Sequence, residues 1–326
     1  MNFYLPVWKF ILEQLAADRA VMLLLVTESS GSSPGRLGFK MAVSADGICG
    51  SIGGGVMEVK IVEHAKSLLD DPTKTVIKHQ VHRKDVGHHQ SGMICSGEQT
   101  VVYFKINSSD ASSIEKLISC AINYHTVSIL ISHENGNTVF NIEGEKRNTN
   151  KSFFEKINET DFRYRENTGF QYQLFIVGGG HCALALSELM SKFDFYITVI
   201  DDRPGLNTIH QNTFAQRIHI LEVFDSVDQV VPAAPDVYVV IMTLGYRTDL
   251  IALEKLIGRN CAYMGLLGSK SKVEKLLYEL EAGGHSKKLI QTIHAPIGID
   301  IQSHTPEEIA VSIAAEIIRH KNQKNG

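Results

Sequence analysis

At 326 residues, with 44% hydrophobic and 21% charged residues, the chain has the make-up of an ordinary soluble globular protein with room for two domains. A net charge of −4 gives no reason to expect nucleic acid or an anionic membrane as partner. Five scattered cysteines without CxxC spacing argue against a disulfide framework and a structural zinc site, and no run reaches the roughly 18 apolar residues of a spanning helix.

The start, Met1-Asn2-Phe3-Tyr4, has no basic leader region, so the cytoplasm is the expected location. Val7, Phe10, Ile11 and Leu15 are spaced for one face of an opening amphipathic helix. Residues 21–26 form an unbroken apolar run, the pattern of a buried strand. A loop of small residues follows over 27–38. Strands at 40–44 and 48–52 flank a tight turn at Asp46-Gly47. The second runs into Gly53-Gly54-Gly55, and a helix over 56–69 carries Glu58 in its first turn, where a negative charge suits the helix dipole.

Strands near 75–81 and 100–106, a helix near 112–123, and a hairpin turning at Asn135-Gly136 complete the first half. Residues 144–169 are charged and polar, broken by Phe153, Phe154 and Phe162, and read as a connector with one docked helical turn.

From Gln173 onward strand and helix alternate. Leu174 to Val177 stop at Gly178-Gly179-Gly180, and an Ala/Leu-rich helix starts at once. A second apolar run over 195–200 ends on Asp201 and Asp202. That order is the first half of a dinucleotide-type βαβ unit, with Ala183 in the third place of the glycine pattern. Further strand ends near 221, 242, 266 and 294 imply a parallel, doubly wound sheet. The last helix is marked by Thr305 as N-cap, Pro306, and Glu308 closing a capping box.

The expected fold is therefore α/β: a Rossmann-like C-terminal domain at 171–326, a smaller α+β domain at 1–143, and a linker at 144–170. Ligands of such sheets bind beyond the carboxyl ends of the strands. Those ends hold Gly178, Gly180 and His181, then Asp201, Asp202 and Arg203, then Thr243 to Tyr246 with Arg247 and Asp249. Gly268, Ser269 and Lys270 come next, and finally His294-Ala295-Pro296. Glycines there let backbone amides approach a phosphate. Arg203 and Lys270 are suited to pair with one. In the first domain the loops around Gly31, Ser32, Arg36 and Lys40, and around Gly53, Gly54, Gly55 and Glu58, have the make-up of anion nests.

Cys95, in a small-residue turn, is placed as an accessible thiol near a metal or sulfur atom. His79, His82, His88 and His89 match no closed metal site, and a solvated polar loop accounts for them.

Together these motifs resemble the XdhC/CoxI maturation factors of molybdenum hydroxylases such as xanthine dehydrogenase. The matching blocks are Gly31 to Met41, Asp46-Gly47, Gly50 to Gly55 with Glu58, and Met93-Ile94-Cys95-Ser96-Gly97. Further blocks are Gly178 to His181, Val199 to Pro204, Tyr263 to Lys270, His294 to Asp300 and Thr305 to Ala310. Ser96 stands where the family usually has glycine, and Gln302 departs likewise.

The resemblance implies an accessory protein rather than a catalyst. It would bind molybdenum cofactor in its molybdopterin form, which carries a phosphate, or a pyrophosphate when a nucleotide is attached. It would deliver the sulfurated cofactor to an apo molybdenum hydroxylase, with a sulfur donor as further partner, Cys95 close to the metal, and a homodimer as the assembly. The alternative reading of the same fold is an NAD(P)-dependent oxidoreductase. There Asp201 favours NAD, and Tyr246 or His181 is the available general acid.

Overall fold

In the computed structural model, which describes residues 4–71, 75–82, 97–123, 125–144 and 152–325, the apolar run after the opening helix becomes a central strand. Helix α1 (Leu5–Ala16) precedes β1 (Val21–Gly31), which lies between β2 (Lys40–Val43) and β5 (Gly97–Ile106). The antiparallel sheet is ordered β3-β2-β1-β5-β4, with β3 at Ile48–Gly50 and β4 at Val76–His82. The run in β1 is apolar on both faces because both are covered. Met22, Leu24 and Val26 pack under α2 (Gly55–Ser67), against Ile61 and Ala65. Leu23 and Leu25 alternate to the other face, against Val7, Trp8 and Ile11 of α1 and Ile114 and Leu117 of α3 (Ala111–Ile122).

A second antiparallel sheet, ordered β7-β6-β9-β8, shares that core. Its hairpin joins β6 (Val127–Glu134) to β7 (Asn137–Gly144) through Asn135 and Gly136, whose positive φ values of 51° and 79° are those a tight hairpin turn requires. The expected connector with a helical turn is not what the described part of 144–170 forms. It contributes strands β8 (Phe153–Lys156) and β9 (Phe162–Thr168). Phe162, Tyr164 and Glu166 recur at a period of two and point inward, while Arg163 is exposed. The polar average of the segment hides that alternation.

The chain divides into two compact units, Asn2–Gly169 and Phe170–Gly326. The second is a five-stranded, all-parallel sheet ordered β12-β11-β10-β13-β14, as expected from the alternation of strand and helix. Its strands are β10 (Tyr172–Val177), β11 (Phe195–Asp201), β12 (Arg217–Ile220), β13 (Ala234–Ile241) and β14 (Cys261–Leu266). The sixth expected strand is reduced to a single bridge between Gly265 and His294.

Helices cover both faces. α4 (His181–Met190) and α10 (Pro306–Asn325) pack on Leu174, Ile176, Val199 and Val240. α7 (Tyr246–Leu256) and α8 (Lys270–Ala282) pack on Phe175, Val177, Val239 and Ile241, with α6 (Val227–Val230) and α9 (Lys287–Ile290) at the margin. The short α5 (Asn207–Gln211) follows β11. Strand order reverses between β10 and β13, so their carboxyl ends form the topological switch point.

Candidate functional site

Two loops meet at that switch point, and each is held by a buried carboxylate. Gly178 leaves β10 with φ of 115° and lies so close to the backbone of Met242 and Thr243 that a Cβ has no room. Gly179 donates its N–H to Asp201 Oδ2 at 2.6 Å, and its carbonyl accepts from the Thr208 hydroxyl. Gly180 differs. A Cβ built on it meets nothing within 4 Å, and it precedes α4 without any side-chain cap. The first turn of α4 is therefore left without a side-chain cap behind a tight turn, a favourable setting for an anion. His181 is exposed in the first turn. The thiol of Cys182 beside it is pushed up by burial and by Glu307, which disfavours a thiolate.

Asp201 is 0% exposed. Its Oδ1 accepts from the backbone N–H of Arg203 at 2.9 Å and from Arg203 Nε at 2.8 Å, and its Oδ2 from Arg203 Nη2 at 2.8 Å. Burial by itself would raise the carboxyl pKa. The hydrogen bonds from the guanidinium and from Gly179 and Arg203 N–H outweigh it and hold Asp201 below the usual carboxylate range.

On the β13 side, buried Asp249 in the first turn of α7 accepts from the Thr243 N–H at 3.0 Å and the Thr243 hydroxyl at 2.6 Å, and it pairs with Lys272 of α8. Lys272 does not stand out in the sequence as a site residue, and Asp249 does so only as one polar residue after a strand end. Their link spans 23 positions, so no local spacing announces it.

Gly268, Ser269 and Lys270 follow β14, two strands from β10 and so about 10 Å away. Ser269 caps α8, accepting from Lys272 N–H at 3.3 Å, while Lys270 is exposed. His294 Nδ1 lies 3.1 Å from Glu316 Oε1, and its ring stacks on Tyr263 at 4.4 Å. Tyr246 turns toward α8, where Lys275 Nζ sits 4.6 Å from its ring centroid. Burial and Glu279 push its phenol up to about 12.

In the first unit the two glycine loops do come together. Gly35 packs on the carbonyl of Ile52, Gly53 on Pro34 and Gly35, and Gly97 on Ser32 and Ser33. Buried Gln99 ties them, its Oε1 accepting from Ser33 Oγ at 2.9 Å and from Gly35 N–H at 3.2 Å.

Two expectations need correction. Lys40, read as charge for a phosphate, is 2% exposed, and its ammonium donates to Glu166 Oε2 and to the Gly38 carbonyl, both at 2.8 Å. The nest of Gly53, Gly54 and Gly55 is filled by the chain's own carboxylate. Glu58 Oε2 accepts from Ser51 Oγ at 2.8 Å and from the N–H groups of Ile52 and Gly54 at 2.9 Å. Arg36 stays exposed, with a 3.3 Å bond to the Gly31 carbonyl, beside exposed Gly31 and Ser32. Cys95, His88 and His89 and the side chain of His82 lie outside the described residues. Among those residues no three His, Cys, Asp or Glu side chains converge as a metal site.

The fold is that of a Rossmann-type α/β unit following an antiparallel α+β unit. The sequence profile of the XdhC Rossmann domain matches residues 174–317, and that of the XdhC and CoxI family matches residues 14–80. The chain belongs to the XdhC and CoxI family. It is 27% identical over 312 residues to YqeB of Escherichia coli, an uncharacterised protein, covering 92% of this chain and 43% of that one. The chain thus spans less than half the length of YqeB.

It is also 23% identical over a 339-position alignment to a Bacillus subtilis protein named as a probable xanthine dehydrogenase subunit, covering 96% and 97% of the two chains. A crystal structure from Bacillus halodurans, described as a xanthine dehydrogenase, has the same fold. Its TM-score is 0.69 at 22% identity, over 97% of this chain and 96% of that one. Among the described residues no helix is long and apolar enough to cross a membrane.

Proposed function

We propose that this protein is an accessory factor of a xanthine dehydrogenase-type molybdenum hydroxylase, holding molybdenum cofactor for delivery to the apo-enzyme. The observation that carries the reading is the open cradle at Gly180. A glycine turn backed by Asp201 leaves the start of α4 uncapped, with nothing within 4 Å of where a Cβ would stand on Gly180. That fits the phosphate end of the cofactor. Family membership supplies the client class, and the name of the Bacillus subtilis relative agrees with it.

In this reading Gly180 and the first turn of α4, with His181 at the rim, would hold the phosphate. Arg203 is committed to Asp201, and Lys270 lies two strands away, exposed at the start of α8. In the first unit Lys40 and Glu58 hold their own loops, and Gly31, Ser32 and Arg36 stay exposed. Cys95 is assigned to the metal end on family resemblance alone. Once inserted, the cofactor supplies the hydroxylase with its molybdenum chemistry; the residues of this chain bind, orient and release it. Delivery in the cytoplasm, by a homodimer and with a sulfur donor upstream, belongs to the same proposal.

The family match does not favour the oxidoreductase alternative. Asp201 has no free acceptor for a ribose, and Tyr246 is packed on α8.

The test loads the purified chain with molybdenum cofactor released from a donor enzyme, adds apo-xanthine dehydrogenase, and follows urate formation. Activation that depends on the loaded chain is expected. Cys95→Ala is expected to keep pterin while losing molybdenum and activation. Failure to bind cofactor, together with NADH binding and turnover of a carbonyl substrate, would overturn the proposal.

A further inference from the structure

We infer that α7 and α8 of the second unit carry a docking surface for a protein, with Leu244 and Tyr278 as its apolar anchors and Arg247, Lys270 and Lys275 around them. The partner it fits is an acidic protein face with an apolar centre, on the apo-hydroxylase that takes the cofactor. This rests on the proposed function and goes beyond it by assigning the surface of contact.

Among the described residues Leu244, at 82%, and Tyr278, at 72%, are the two most exposed large hydrophobic side chains. One such residue alone is ordinary. These two stand on neighbouring elements. Tyr246 opens α7 two residues after Leu244, and Lys275 Nζ of α8 sits 4.6 Å from the centroid of its ring. The next turn of α8 carries Tyr278. Val273, Leu276 and Leu280 of that helix face the core, which leaves Lys270, Glu274, Lys275 and Tyr278 on its outer side.

Leu244 stands on a pinned loop. Thr243 before it donates its N–H to buried Asp249, and the Thr248 hydroxyl donates to the carbonyl of Gly245 after it. The leucine is thereby held in water rather than free to fold back. Little ordering remains to be done on contact, which is the condition for a preformed binding surface.

The charge around the pair is local. The chain carries −4 overall, and other cations of this unit are held by carboxylates, Lys255 by Asp225 and Lys287 by Glu281. Arg247, Lys270 and Lys275 are exposed and in no ion pair among the described residues, and Glu274 is the one acid over 270–278. An apolar pair with a charged surround has the make-up of an interface, in which Tyr and Arg are favoured anchors. Unpaired cations steer an acidic protein toward it and repel a basic one. Three cations on an acidic chain fall short of the basic stripe that a nucleic acid requires.

The surface also borders the glycine turn before α4. Gly178 packs on the backbone of Met242 and Thr243, directly before Leu244. A protein seated on Leu244 therefore lies beside the proposed place of the cofactor phosphate, and that makes the receiving enzyme the fitting occupant.

The experiment measures calorimetrically the binding of the full chain to apo-xanthine dehydrogenase at low and high salt. Pterin content and melting temperature are read on every variant. Leu244→Ser and Tyr278→Ser are each expected to weaken binding by roughly tenfold at either salt. Lys275→Glu is expected to weaken it by about tenfold at about 50 mM salt and to lose most of that gap at about 500 mM. Lys192→Glu, an exposed position just past the far end of α4, is expected to match wild type. All four are expected to keep wild-type pterin and melting temperature; if Lys275→Glu melts lower, Arg247→Glu takes its place.

Leu244 and Tyr278 variants that bind the apo-enzyme as tightly as wild type would overturn the inference. Loss of pterin along with binding would do so too, since it would make these residues ligand contacts. Wild type that holds pterin and does not bind the apo-enzyme overturns the surface and leaves cofactor carriage standing. Wild type without pterin that binds the apo-enzyme through these residues supports the surface and overturns carriage. Capture on phosphatidylserine vesicles without binding to the apo-enzyme would assign the patch to a membrane and overturn the protein partner.

Discussion

Three consecutive glycines carry three different constraints, and substitution separates them. Gly178→Ala places a methyl group against the Met242–Thr243 backbone at a φ of 115°, and is expected to cost about 3 kcal/mol. Gly180→Ala has no neighbour to strike, so chemical denaturation is expected to find it within about 1 kcal/mol of wild type. A larger loss there would mean that Gly180 is a folding residue and not a cradle.

Asp201 adds a pH signature. Its pKa is lowered in the folded chain, so its stabilisation is complete above the unfolded value of about 3.9 and fades as pH falls through the folded value. Asp201→Asn is expected to lose about 2–3 kcal/mol, toward the low end for a buried pair because Arg203 is one-third exposed. Urea midpoints should keep that gap from pH 8 to pH 5 and close it below about pH 4. A gap that widens in acid would contradict the assignment. The glycines and the acids were legible in the sequence because their spacing is local. Which acid is buried was not, since it depends on a contact between Gly179 and a strand 22 positions on.

Elements were legible wherever both faces of a segment are decided by one pattern. The run at β1, the strand-turn-helix at β10 and α4, and the capping box of α10 all stand as the residues imply. In that box Thr305 Oγ1 accepts from Glu308 N–H at 3.2 Å, and Glu308 Oε2 accepts from Thr305 N–H at 3.1 Å. Strands β8 and β9 were hidden because their inward residues include Glu166, a charge that sequence reasoning assigns to the surface. Its burial depends on Lys40, 126 positions away on β2, together with the Tyr164 hydroxyl.

That pair links β2 to β9 inside the first unit. Lys40→Met alone leaves Glu166 buried without its cation and is expected to cost about 3–5 kcal/mol. Lys40→Met with Glu166→Gln is expected to recover much of it, as read from thermal melts of the three variants. A double variant no better than the single would show that the charge pair is not what holds the two strands.

At the scale of the molecule, the fold class, an α/β chain with a parallel Rossmann-type sheet after an antiparallel α+β unit, was readable from alternation and motif order. The site was readable only in part. Glycine-rich stretches look alike in sequence, yet the nest before α2 is filled by Glu58 while the turn before α4 is left open. Only a side chain returning to its own loop distinguishes them. Under the proposed function the phosphate end of the cofactor belongs to the second unit, and Gly180 is the position whose filling should matter most.

The most direct measurement purifies wild type and Gly180→Val without air from a molybdenum-replete host, then assays pterin by fluorescence after oxidation and molybdenum by elemental analysis. The account predicts near-stoichiometric pterin with molybdenum in the wild type, and loss of both in a variant that melts within a few degrees of it. Wild type free of pterin that also fails to take up added cofactor, or a Gly180→Val protein as fully loaded as wild type, would contradict it.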